Sequence, residues 1–100
     1  MSTLYIAEVE KLGIDAMGAS VIAPEMPPLA EQTIAITSGT LPSAPFGGRT
    51  RFVQIHCDAV CSVAWGQNPQ ATTSNMRLGA GDTRYYGVTP GDQLAVIQNV

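Results

Sequence analysis

This sequence predicts an all-β fold: a compact β-sandwich (jelly-roll-like) or a small barrel, with an extended N-terminal or loop arm. Three observations carry that expectation. Short apolar runs alternate with the period of two that marks a half-buried strand. Gly, Pro, Asn and Asp clusters separate these runs at sandwich-like intervals. No pattern of helical period persists beyond two turns, and no internal repeat is present.

The chain opens on "TLYIAEVEKL", which reads as a strand of about six residues. Leu4, Ile6 and Glu8 fall on one face; Tyr5, Ala7 and Val9 fall on the other. Residues 10–31 then mix Gly13, Gly18, Pro24, Pro27 and Pro28 with Ile14, Met17, Val21, Ile22, Met26 and Leu29. Proline fixes φ and removes a donor, so this stretch reads as extended and loop-like. It is long for an idle connection. A solvated linker would not hold so many large apolar groups, and a core element would not hold so many breakers. Ile14, Met17, Val21, Ile22, Met26 and Leu29 are therefore the interface candidates, on an arm that lies against a neighbour.

"QTIAITS" from Gln32 is the next strand, with Ile34 and Ile36 facing inward. "GTLPSAPFGG" reads as turn and loop. "TRFVQIHC" and "VCSVAWG" alternate most clearly, and the tight "DA" between them suggests a hairpin. "NMRL", "TRYYGV" and "QLAVIQNV" complete six to eight strands. "TPGD" matches a type II turn, with Pro90 and Gly91 at its central positions. The apolar middle of "QLAVIQNV" suits an interior strand. Val53, Ile55, Val63, Trp65, Leu94 and Val96 are the expected core.

One hundred residues make one domain, spanning 1–100. Charged residues are 13%, about half the usual share, and Lys11 is the single lysine. So little charge fits a surface used in an interface. The net charge of −3 argues against nucleic acid as a partner, because phosphate neutralisation needs clustered cations. Arg49 and Arg51 form the one local basic pair and read as a solvated or ion-paired face. No apolar run approaches the length of a membrane span, and the first residues lack the basic start of a secretory signal. The expectation is synthesis in cytoplasm, with no membrane partner.

Catalytic chemistry has little to stand on. His56 is the one histidine, and Asp58 and Ser62 lie near it in sequence. On a hairpin His56 and Ser62 would share a face, but no nucleophile-elbow pattern accompanies them. Cys57 and Cys61 lack the further ligands of a metal centre and read as buried small hydrophobes. "GAGD" and "FGG" are turns without the lysine of a phosphate loop. Tyr85 and Tyr86 must point to opposite faces, so one of them packs with Trp65. The expectation is no enzyme, no cofactor, no metal and no catalytic residue.

The run "FVQIHCDAVCSVAWGQNPQATTSNMRLGAGDTRYYGV", with "PGDQLAVI" after it, resembles small virion proteins of tailed bacteriophages. The likeness covers about residues 50–98, and Thr3–Glu8 loosely. It implies a structural particle component, most simply a capsid decoration (cement) protein that bridges shell subunits. A head–tail connector or tail protein is the alternative position. The implied partners are the major capsid or another particle protein and further copies of the chain, with a trimer favoured; the implied location is the virion. A soluble β-sandwich module that binds a ligand or glycan is the competing reading, and it requires an exposed aromatic patch with polar groups beside it.

Overall fold

A computed structural model describes residues 2–14 and 16–99; the side chains of Ser20, Val21 and Ile22 also lie outside the described residues. Ten strands and no helix are found there. They are β1 (Thr3–Val9), β2 (Leu12–Ile14), β3 (Ser20–Pro24), β4 (Ala30–Ala35), β5 (Leu41–Pro42), β6 (Phe52–Cys57), β7 (Cys61–Gly66), β8 (Met76–Leu78), β9 (Thr83–Gly87) and β10 (Gln93–Gln98).

The strands form three sheets. Two have four strands, in the orders β4-β1-β6-β9 and β5-β10-β7-β8, and the third is the hairpin β2-β3. All pairings are antiparallel. Neither large sheet closes on itself, so the barrel expectation gives way to two open layers. Leu4, Ile6, Ile34, Val53, Ile55 and Cys57 face inward from the first sheet. Cys61, Val63, Leu78, Leu94 and Val96 meet them from the second in one buried cluster. Period-two alternation produces this: each strand gives every other side chain to the gap between layers.

Two strands differ from their expected pairing. β6 and β7 do not form a hairpin. They lie in opposite sheets, and Asp58–Val60 carries the chain across the core. Alternation is the same for both arrangements; what decides is that β6 fills its two edges with β1 and β9, while β7 pairs with β10 and β8. The loop around Leu41 also contains a strand. Leu41 and Pro42 pair with Val96 and Ala95 at the sheet edge, where a missing N–H is tolerated.

Other readings agree with the sequence. Val53, Ile55, Val63, Leu94 and Val96 are buried, and Trp65 packs against the same cluster while partly exposed. β10 is an interior strand. In the turn Thr89–Asp92, the Asp92 N–H donates to Thr89 O at 3.1 Å and Gly91 takes φ +87°. Type II geometry requires that sign of φ at its third residue, which is why glycine stands there.

Within residues 10–31, expected as an extended, loop-like arm, β2 and β3 form a hairpin, and Ala30 and Glu31 already belong to β4 beside β1. β2 pairs with β3 through Leu12↔Pro24 and Ile14↔Ser20, with a register shift between them. A Lys11–Glu25 ion pair of 3.5 Å and the Glu25 N–H to Lys11 O bond of 3.0 Å close its base. Among the described side chains, none of this hairpin belongs to the buried cluster.

Candidate interaction surface

Four of the six interface candidates are exposed apolar side chains: Ile14 (59%), Met17 (93%), Met26 (59%) and Leu29. Val21 and Ile22 lie on β3, with side chains outside the described residues. Leu12, which was not singled out in the sequence, is exposed as well. At the arm's base, Leu12, Ala23 and Pro24 face Phe52, Tyr85 and Gly87 across an apolar groove of about 440 Å³.

The residues with chemical potential are dispersed. His56 is on the outer side of the first sheet, its Nδ1 2.8 Å from Thr83 Oγ1. Ser62 is fully buried on the second sheet, its Oγ accepting from Asn99 Nδ2 at 2.7 Å. Asp58 Oδ1 accepts from the Thr3 N–H at 2.6 Å. The expectation that His56 and Ser62 share a face therefore fails with the hairpin it rested on, and no Ser/His/Asp arrangement is assembled.

Cys57 and Cys61 are free and fully buried, one at each end of the crossover. Cys57 Sγ donates to Gly79 O at 3.1 Å. Burial, then the neighbouring Cys57, pushes the Cys61 thiol up to about 12. Such a thiol stays protonated and is a poor nucleophile or metal ligand. Among the described residues no group of three or more His, Cys, Asp or Glu is placed to hold a metal ion. Arg49 is ion-paired with Glu10 at 2.7 Å, and each raises the other's preference for charge: Glu10 is lowered and Arg49 raised, both through their shared hydrogen bond first. Arg51 does not extend that pair into a basic strand face, because both arginines precede β6.

The aromatic expectation holds. Tyr86 turns inward to Trp65 at 5.2 Å between centroids, and Tyr85 points out, 55% exposed. Comparison with family models, curated proteins and solved structures finds no match to this chain.

Proposed function

We propose that this protein is a non-enzymatic structural component of a bacteriophage particle, a capsid decoration (cement) protein that stabilises the head by bridging shell subunits. The observation that carries this reading is the β2–β3 arm. A two-stranded hairpin standing outside a core is marginally stable in water by itself. This one also holds Leu12, Ile14 and Met17 exposed, and Met26 and Leu29 follow it. Those side chains gain most where a second surface removes them from water.

The strand order supports the same reading. Leaving out the arm, eight strands form two four-stranded sheets. We read β4-β1-β6-β9 facing β5-β10-β7-β8 as a jelly-roll order in which the first strand takes the inner place usually filled by the last. Jelly rolls serve many roles, so this order supports the proposal through fold alone. The likeness of residues 50–98 to small virion proteins supplies the phage context. The partner is then the major capsid protein, with further copies of the chain, a trimer favoured, at its symmetry axes.

The test is to mix purified protein with heads assembled without it and sediment them. Saturable binding at a fixed copy number per shell subunit supports decoration. Binding confined to tails or connectors moves the protein to that alternative position. No association with any particle component overturns the proposal.

A further inference from the structure

The outer face of the β4-β1-β6-β9 sheet carries a feature that the arm does not explain. Tyr5 stands on the interior strand β1, opposite Thr33 on β4 and His56 on β6. Its ring is 48% exposed and lies 6.3 Å from the His56 ring, tilted by 41°. Ala7, two residues on, faces the same way between Glu31 and Gln54. A lone methyl group in a row of long polar side chains leaves a hollow. Its volume is about 330 Å³, with Ala7 as floor and Tyr5, Glu31, Thr33, Gln54 and His56 around it. On the next strand Tyr85 stands opposite Gln54, so a second exposed aromatic borders the same row.

The chemistry of the hollow selects its ligand. An exposed aromatic face beside fixed amide, hydroxyl and carboxylate groups matches a pyranose ring, which has an apolar C–H face and a rim of hydroxyls. Among the described residues no protein group hydrogen-bonds the Glu31 or Gln54 side chain, so both are available. His56 uses only Nδ1, on Thr83. The charge is also informative: the hollow is lined by one carboxylate and by no lysine or arginine. Anionic ligands meet repulsion there and neutral ones do not.

We propose that this face binds a neutral saccharide, one ring stacked on Tyr5 and its hydroxyls held by Glu31, Thr33 and Gln54. The hollow and the apolar groove at the arm's base share no lining residue, so saccharide binding is tested separately from particle attachment.

The test is NMR and calorimetric titration of the whole protein with chitopentaose, cellopentaose and maltopentaose, with heparin as an anionic control. At least one neutral series should saturate, with shifts centred on Tyr5, Gln54 and His56. Tyr5→Ala should weaken binding by about tenfold or more, the scale of one lost aromatic stack. Gln54→Ala, a second variant, should weaken it as well. Tyr5 is half-exposed, so both variants should keep the wild-type melting profile, and both should still sediment with particles. No saturable binding to any of the three sugars overturns the proposal. So does unchanged affinity in Tyr5→Ala, or a preference for heparin.

Discussion

Thr50 Oγ1 donates a 2.8 Å hydrogen bond to Glu8 Oε1 across 42 positions of sequence, and both residues are buried. Glu8 shares the inner phase of β1 with Leu4 and Ile6, so the pleat alone would bury a bare carboxylate. Donors meet it there. The Gly47 N–H reaches Oε1 at 2.9 Å and Gln32 Nε2 reaches Oε2 at 3.3 Å. The carboxylate thereby fixes the turn that leads into β6. Glu8→Ala strands those donors and should destabilise the fold by about 3 kcal/mol. Thr50→Val removes one bond and should cost about 1–2 kcal/mol. Urea unfolding of the single and double variants checks both, and the pair should couple in a double-mutant cycle. A Glu8→Ala cost near zero would mean that solvent, rather than these donors, satisfies the carboxylate.

Cys61 gives stability a pH dependence with a definite sign. In the unfolded chain its thiol ionises near the ordinary value of 9.0; in the folded chain burial, with Cys57 and Asp58 nearby, holds it protonated to about 12. The folded state therefore binds the extra proton in that window. Stability is full below about pH 9 and is lost as pH rises toward 12, with a slope approaching 1.4 kcal/mol per pH unit, to order of magnitude. Urea midpoints measured at successive pH values should show the decline in wild type, and Cys61→Ala should flatten it. A parallel decline in both proteins would assign the slope to other groups.

Which residues face inward was legible because pleat alternation needs no tertiary information. Leu4, Ile34, Val53, Val63 and Val96 all lie where their phase puts them. Which strand pairs with which was less legible. Alternation around Asp58 suits a hairpin and a crossover equally, and the choice depends on edges that β1 and β10 occupy from far away in sequence. β5 was hidden by Pro42, and β2–β3 by the glycines and prolines around them. The apolar character of the arm was visible in composition. The hollow beside Tyr5 was not, because it needs Ala7 to sit between Glu31 and Gln54, a register that no local pattern encodes.

Trp65 closes the rim of the core rather than its centre. It lies 6.4 Å from Phe46 and 5.2 Å from Tyr86, ring to ring, and so joins β7, the loop before β6 and β9. Trp65→Ala should cost about 3 kcal/mol, the low end for a large aromatic because the side chain is only partly buried. Thermal melts followed by far-ultraviolet circular dichroism check this without using the lost fluorophore. Trp65→Phe should retain most of the stability, since a smaller ring still reaches Tyr86. A full loss of folding in Trp65→Phe would show that indole size, rather than aromatic contact, holds the rim.

In the proposed function, attachment belongs to the arm and folding to the two large sheets. The arm's described side chains contribute nothing to the buried cluster, and its base is held by the Lys11–Glu25 pair and by the Leu29 N–H bond to Glu8 O at 2.8 Å. Exposed ion pairs of that kind add little to stability. Deleting residues 13–28 should therefore leave both large sheets intact, with a melting temperature close to that of the whole chain. The same deletion should abolish sedimentation with particles. Ile14→Asp with Met17→Asp makes the argument without shortening the chain: each places a charge where an apolar contact is proposed, and burying an unpaired charge is strongly unfavourable. That variant should fold normally and bind particles at least tenfold more weakly, roughly the effect of losing one well-buried anchor. Unchanged binding by both the deleted and the doubly charged protein would move the contact surface to one of the sheet faces and leave the arm a peripheral hairpin.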